Sequence, residues 1–118
     1  MRQLLSRNNF KYRKDKVNSM GFTNGGKNSY RQAKSVGLSS YYDEYMGTYL
    51  IPMYSFNNDK EIREKVLSLL TNGHCYKADG SIDFEHRLVM EVMNHINEDG
   101  EMENNIYDVC IREAEVYS

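Results

Sequence analysis

The sequence predicts an α+β fold that is mainly helical, with three C-terminal helices packed with two short helices and a small strand element, preceded by a basic irregular N-terminal arm. A length of 118 residues suits one domain with one core. The balance of 40% hydrophobic and 27% charged residues is typical of a globular chain. Apolar residues in the second half recur every three or four positions, as on a helix. We predict a single domain over residues 1–118, with a basic arm over residues 1–26 and a folded core over residues 27–118.

The charge of the chain is divided unevenly along its length. Residues 1–34 hold nine basic residues against Asp15, a net charge of +8, and the remainder holds six basic residues against sixteen acidic ones, a net charge of −10. Basic side chains interleaved with aromatic rings can neutralise phosphates and stack on bases. A solvated tail is the alternative interpretation of such a run. Binding of a nucleic acid or a partner is predicted to use Arg7, Lys11, Tyr12, Arg13, Lys14, Lys16, Lys27, Arg31, Lys34 and Tyr42.

Two short helices are predicted before the middle of the chain. The first covers residues 29–36 and ends at Gly37, because glycine readily adopts the left-handed conformation that follows many helices. The second covers residues 41–46 and ends at Gly47, and one of the two serines before it caps its first turn.

Tyrosines dominate the second short helix and the segment after it. Tyr41, Tyr45 and Tyr49 recur every four residues, so we expect Tyr45 to be buried in the middle of this stripe. Tyr42 points about 100° away from the stripe and is expected to be exposed. The segment TYLIPMYSF is rich in aromatic and β-branched residues and predicts one strand. Pro52 places that strand at the edge of a sheet, because proline has no N–H to donate.

The next helix has the clearest sequence signals. Asn58 followed by Glu61 matches the capping-box pattern that begins many helices. Gly73 is predicted to end the helix. Its inner face is predicted to consist of Ile62, Val66, Leu69 and Leu70.

Two longer helices are predicted to complete the core. Asp83 caps the first of them and Gly100 ends it, and the second runs over residues 101–117. Three helices of this size can share one core. Their inner faces are predicted to consist of Phe84, Leu88, Val89, Val92, Met93 and Ile96 in one helix and of Met102, Ile106, Val109, Cys110 and Tyr117 in the other.

The stretch QAKSVGLSS resembles the turn of a helix-turn-helix motif. Ala33 is small where the two helices approach, Gly37 supplies the positive φ of the turn, and Ser39 stands where the recognition helix needs its cap. The resemblance covers about fifteen residues and implies a DNA-binding regulator with this corner at residues 31–46. Two acidic residues in the second helix depart from the pattern, because they repel phosphate.

Two other near-matches predict turns rather than sites. Gly21, Gly26 and Lys27 match most of a phosphate-binding loop, but Asn28 stands where the motif needs Ser or Thr. The stretch ADGSIDFEH resembles the back half of a calcium-binding loop, yet three of the ligand positions hold unsuitable residues. We therefore predict no metal site and no cofactor.

The histidine and cysteine residues give no defined site. His74 and Cys75 form a loop pair to which no chemistry is assigned, and Cys110 lies on an apolar stripe and is expected in the core. His86 and His95 are nine residues apart, on opposite sides of a helix, so they are not expected to share a metal. Two cysteines do not make a disulfide framework, which favours a cytoplasmic protein.

These features predict a small non-enzymatic regulatory or inhibitory protein that acts on a nucleic acid or on a nucleic-acid-processing machine. In size and charge alone the chain resembles anti-restriction and anti-CRISPR inhibitors, which implies an acidic surface that imitates DNA. Abundant Asn, Lys and Tyr favour a phage or mobile-element source. The expected partner is a nucleic acid or a nucleic-acid-binding protein complex, and not a membrane. The sequence leaves the oligomeric state open and is compatible with a homodimer. The alternatives are the DNA-binding regulator and a small enzyme or ligand-binding protein whose site no motif reveals.

Overall fold

The computed structural model describes residues 28–44 and 46–116. In this part of the chain four strands form one antiparallel sheet in the order β1-β2-β4-β3, accompanied by three short helices. The elements are α1 (Tyr30–Ser35), a 3-10 turn (Ser39–Tyr41), β1 (Tyr42–Asp43), β2 (Thr48–Pro52), α2 (Met53–Asn58), α3 (Lys60–Asn72), β3 (His86–Ile96) and β4 (Met102–Glu115).

The prediction of a mainly helical fold with three C-terminal helices is wrong. Of the described residues, 39% lie in strands and 32% in helices, and β3 and β4 replace the last two predicted helices. The reason is that Phe84, Leu88, Val92 and Ile96 are spaced by four residues, and a spacing of four satisfies both the helical period and the period of two of a strand. The pairing of these segments with each other and with β2 decides in favour of strands. The β-branched residues of the two segments also fit a pleated surface well.

A tight turn joins β3 to β4. Asn97 begins this turn: its amide donates to the Glu101 carbonyl at 2.9 Å, and its side-chain oxygen accepts from the amides of Asp99 and Glu101, each at 3.0 Å. Gly100 adopts a φ of +79°, a backbone conformation that residues with a side chain rarely adopt. The Asp-Gly pair is thus a hairpin signal rather than the end of a helix.

The predicted inner face of the last helix is also wrong. Val109 and Cys110 were expected on one inward face, but neighbouring residues of a strand point to opposite faces of a sheet. Val109 packs in the cluster with α3, and Cys110 packs in a separate cluster on the other face. Met102 and Ile106 are largely exposed, and Tyr117 lies outside the described residues.

The first predicted short helix is confirmed and the second is wrong. The Ser29 side chain caps α1, and Gly37 follows it with a φ of +78°. Where the second helix was predicted, the chain forms a single 3-10 turn and then β1, in which Tyr42 pairs with Tyr49. Tyr42 is only 1% exposed, so the expectation of its exposure is also wrong. The predicted burial of Tyr45 concerns a residue outside the described part of the chain.

The strand predicted around Pro52 is present, but it is not an edge strand along its whole length. β2 lies between β1 and β4 in the sheet. β1 pairs only with Thr48 and Tyr49, whereas Pro52 pairs with Asp108 of β4. Proline is tolerated there because the other side of the strand has no ladder at that position. The rest of the predicted strand segment becomes α2.

The predicted features of α3 are largely confirmed. Its cap is Asp59 rather than Asn58, and the Asp59 carboxylate accepts from the amides of Glu61 and Ile62. Gly73 ends the helix as predicted. Of the predicted inner face, Ile62, Val66 and Leu69 are buried and Leu70 is partly buried.

Two apolar clusters lie on opposite faces of the sheet. The larger one joins α1, α2 and α3 to the face formed by Tyr49, Ile51, Val109 and Ile111. The smaller one lies on the other face and consists of Met46, Leu50, Met93, Ile96 and Cys110. Within the described residues, no helix combines the length and the apolar character that crossing a bilayer requires.

Candidate functional site

One concave surface is a groove of about 1180 Å³ between α1, α3 and the loop of residues 73–80. A double hydrogen bond joins α1 to that loop and holds the groove in shape. The Gln32 side chain donates to the His74 carbonyl at 2.9 Å, and the His74 amide donates to the Gln32 side-chain oxygen at 2.7 Å. The positions of the residues on both walls are therefore coupled.

The loop that forms one wall of the groove has its own hydrogen bonds. Tyr76 pairs with Ile82 in an isolated bridge, and the Lys77 amide donates to the Ser81 carbonyl at 2.8 Å. Asp79 accepts from the Ser81 hydroxyl at 2.6 Å and from the Ser81 amide at 2.9 Å, and these bonds lower the pKa of its carboxyl. The tight Asp-Gly turn predicted here is confirmed, but β3 follows it instead of a helix. Tyr76 and Lys77 therefore stand on an ordered turn.

Basic and aromatic side chains meet in the groove. The cations of its lining are Arg31, Lys65 and Lys77, and the aromatic rings are Tyr30, His74 and Tyr76. The His74 and Tyr76 rings lie edge to face with centroids 6.5 Å apart. The acidic residues of the lining are Glu61 and Glu64.

Lys65 is held at the point where α3 approaches the turn after α1. Its ammonium group lies 3.2 Å from the Glu61 carboxylate. The side chain also passes against Gly37, where an added Cβ would meet the Lys65 Cε and Nζ atoms at 3.1 Å. Glycine at position 37 is favoured by its positive φ.

A second, smaller cavity of about 630 Å³ lies where β2 ends beside the β3–β4 hairpin. Its chemistry centres on His95, whose Nδ1 atom lies 3.0 Å from Oδ2 of the buried Asp108. The strand register shifts between Asn94 and His95, and Asn105 on the opposing strand adopts a φ of +66°. Bulges of this kind often re-aim side chains at functional sites. The other residues of the lining are Pro52, Met53, Tyr54, Ser55, Ile106 and Tyr107.

The predicted binding residues are distributed unevenly over the structure. Arg31 and Lys34 are exposed on α1, and Arg31 lines the groove. Tyr42 is buried, with its ring centroid 4.8 Å from that of Tyr49, and almost none of its surface is accessible to a ligand. Its binding role stays a prediction. The remaining predicted binding residues lie outside the described residues, namely Arg7, Lys11, Tyr12, Arg13, Lys14, Lys16 and Lys27.

The helix-turn-helix corner lacks its second helix. Ala33 and Leu38 are buried as the motif requires, and Gly37 has the expected positive φ. Ser39 begins only a three-residue 3-10 turn, however, and β1 follows at once. A helix of that length cannot enter a major groove in the manner of a recognition helix. The near-match to a phosphate-binding loop falls mostly outside the described residues.

The two cysteines are buried and protonated at neutral pH. Burial raises the pKa of the Cys75 thiol to about 12, and the nearby Glu113 and Asp83 carboxyl groups add to the shift. Burial likewise raises the pKa of Cys110 to about 12, which agrees with the predicted core position. A thiol needs its thiolate form to act as a nucleophile, so the His74–Cys75 pair is poorly suited to covalent chemistry. Among the described residues, no cluster of three His, Cys, Asp or Glu side chains is placed to hold a metal ion.

Sequence reasoning missed most of the residues that form these two cavities. Lys65, Tyr76 and Lys77 belong to α3 and to the turn after it, and no motif connects them with α1. His95 and Asp108 meet only because β3 pairs with β4, so a correct strand assignment was the signal that could have found them. No protein-family model matches this chain, and neither a curated protein nor a solved structure is significantly similar to it.

Proposed function

We propose that the protein is a small non-enzymatic regulator that binds single-stranded nucleic acid in the groove between α1 and α3. The observation that carries the proposal is the meeting of three cations and three aromatic rings in one groove. Cations neutralise phosphates, and rings stack on unpaired bases irrespective of sequence. Each base stacked on an aromatic ring contributes about 1–3 kcal/mol.

The charge distribution of the chain supports the same proposal. Residues 1–27 contain seven basic residues against Asp15, and in the sequence they precede α1, the helix that forms one wall of the groove. Single strands suit this groove better than a duplex, because the described corner has no recognition helix and stacking needs unpaired bases. We place this function in the cytoplasm, a compartment supported by the two free, buried cysteines.

Fluorescence anisotropy with a labelled single-stranded oligonucleotide tests the proposal. Binding is expected to weaken as salt rises, with a slope of log K against log salt of about −1.4 for Arg31 and Lys77, since Lys65 is already paired with Glu61. Arg31→Gln and Lys77→Gln should each make this slope shallower, and Tyr76→Ala should weaken binding about 5-fold or more at unchanged slope.

Lys60→Gln is the matched control, because Lys60 is exposed on α3 and does not line the groove. This variant should bind as the unchanged protein does. The proposal fails if no oligonucleotide binds at low salt, or if Lys60→Gln weakens binding as much as Lys77→Gln does.

A second candidate function, acid–base catalysis, is favoured by the pairing of His95 with Asp108. A buried carboxylate that holds one imidazole nitrogen orients the ring for proton transfer through the other nitrogen, as in many general bases. If this cavity acts on RNA, a labelled RNA strand should be cleaved while the DNA strand of the same sequence stays intact. Cleavage should then be lost in His95→Gln and retained in Tyr76→Ala, whereas an intact RNA strand would exclude this activity.

A further inference from the structure

The outer edge of β3 is long and unpaired within the described part of the chain. β3 contains eleven residues and ends the strand order β1-β2-β4-β3, so one of its sides pairs with β4 and the other pairs with no described strand. Exposed strand edges of this length present free N–H and C=O groups, and such an edge is a template for another strand.

The hydrogen-bond pattern identifies which residues direct their backbone groups outward. The Val116 amide donates to the Glu85 carbonyl at 2.9 Å, so residues 85 and 116 form a hydrogen-bonded pair that continues the β3–β4 register. Hydrogen-bonded and non-hydrogen-bonded pairs alternate in an antiparallel ladder. Leu88, Met90 and Val92 therefore direct their N–H and C=O groups towards the outer edge.

The side chains of this edge carry apolar surface on one face and opposite charges on the other. Met90 is 44% exposed and Val92 is 59% exposed, although both follow the buried Leu88 on the same face. On the other face Arg87 is exposed, and the Glu91 side chain retains 42% exposure while it accepts from an arginine of β4. The edge thus offers an apolar row beside a cation and an anion four residues apart.

We propose that two copies of this chain pair antiparallel through β3, about a two-fold axis at Val89, to form a continuous eight-stranded sheet. In this register Arg87 of each copy faces Glu91 of the other, and Leu88 faces Met90. The two charge pairs are equivalent by symmetry, as an isologous interface requires. The apolar row of one copy is then continuous with that of the other and is covered on its edge.

The register follows from two conditions. Outward-directed residues must face outward-directed residues, so the axis must pass through a residue rather than between two. An axis at Met90 places Val89 against Glu91, and an axis at Leu88 places Arg87 against Val89. Only the axis at Val89 brings Arg87 opposite Glu91, and opposite charges on directly facing residues stabilise strand pairs whereas like charges destabilise them.

Two charge-reversal variants, one at Arg87 and one at Glu91, test this register when they are studied separately and then mixed. Arg87→Glu creates two like-charge contacts in its homodimer, and Glu91→Lys does the same with the opposite sign. Each variant alone is expected to dimerise about tenfold or more weakly, because like charges brought together at an interface oppose binding. A mixture of the two variants restores both opposite-charge pairs and is expected to form dimers that contain one copy of each.

Sedimentation equilibrium of each variant and of the mixture, with one variant carrying a mass tag, gives the readout. Thermal melts identify a variant that fails to fold, and Met90→Pro then serves instead, because proline at that position removes an outward N–H while the bonds to β4 remain. That variant should be folded and monomeric. An unchanged protein that stays monomeric at high concentration, or a mixture that forms no mixed dimer, would overturn the proposal. Since nucleic-acid binding in the groove is measured separately, this interface and the proposed function can fail independently.

Discussion

The two edges of the sheet are built in opposite ways. The edge at β1 is two residues long, and its buried Tyr42 ring lies 6.2 Å from the Tyr30 ring and 4.8 Å from the Tyr49 ring, centroid to centroid. The Tyr42 hydroxyl donates to the Asn28 carbonyl, and the Asn28 side chain donates to the Gly47 carbonyl at 2.7 Å. The edge at β3 is eleven residues long, and its apolar side chains reach solvent.

The sheet therefore has one unpaired edge that is covered by its own chain and one that is left exposed. A short edge covered by its own chain makes each covering side chain important for stability. A long open edge contributes less to the folded state of the single chain, and its surface remains available to a partner. Stability measurements on one edge and association measurements on the other should therefore give separate sets of sensitive residues.

The largest expected effect is on the closed edge. Tyr42→Ala removes a fully buried ring and should lower the free energy of unfolding by about 3–5 kcal/mol. Met90→Ala on the open edge is the matched control and should lose much less, about 1 kcal/mol or below. Urea denaturation of both variants, at concentrations where the chain is monomeric, measures the difference. Equal losses would show that the two edges do not differ as described.

A smaller effect is expected when only the Tyr42 hydroxyl is removed. Tyr42→Phe leaves the buried Asn28 carbonyl without this donor and should cost about 1–3 kcal/mol. Burial raises the pKa of Tyr42 well above its ordinary value, so ionisation opposes folding and stability should decline as the pH rises beyond about 10. The decline should be shallower in Tyr42→Phe. Tyr54→Phe, at an exposed ring, is the control and should follow the unchanged protein.

Asp83, which precedes β3 at the open edge, should give the stability of the protein the opposite dependence on pH. Burial favours a raised pKa for the Asp83 carboxyl, but the Glu85 amide and the His86 ring, each at 2.9 Å, hold that pKa below its usual value. The contribution of this group is therefore present above about pH 4, its unfolded value, and is lost as the pH falls through the folded pKa.

Asp83→Asn should accordingly lower stability at neutral pH and should change little at low pH. Denaturation curves at neutral and acidic pH measure the two values. Asp99→Asn, in the exposed turn between β3 and β4, is the control variant. A loss of the same size at both pH values would contradict the role assigned to the Asp83 carboxylate.

The smallest effect is expected at the middle of the open edge. Val92→Thr keeps the β-branched shape of an exposed side chain, so the free energy of unfolding of the monomer should change by about 0.5 kcal/mol or less. Thermal denaturation of dilute protein is the appropriate measurement. A loss well above 1 kcal/mol would mean that the open edge is covered in the single chain.

Local signals in the sequence were sufficient for the elements whose ends depend on neighbouring residues. Ser29 and Gly37 bound α1, and Gly73 ends α3, because caps and positive φ values are set within a few residues. The stripe of Ile62, Val66 and Leu69 also identified the buried side of α3 from spacing alone. The cap of α3 was predicted at Asn58 and is Asp59, a shift of one residue that is within the usual uncertainty of a helix boundary.

Tertiary structure decided everything that depended on pairing between distant strands. The sequence alone determined the amphipathic helix α3, the presence of a strand before Pro52, and the strongly basic first third of the chain. Residues 84–116 were predicted to be helical because apolar residues four apart satisfy both periods, whereas the pairing of β3 with β4 and of β4 with β2 favours strands. The contact of His95 with Asp108 depends on the pairing of β3 with β4, and the groove depends on the contact of α1 with α3 and with the loop of residues 73–80. No local sequence pattern encodes either contact.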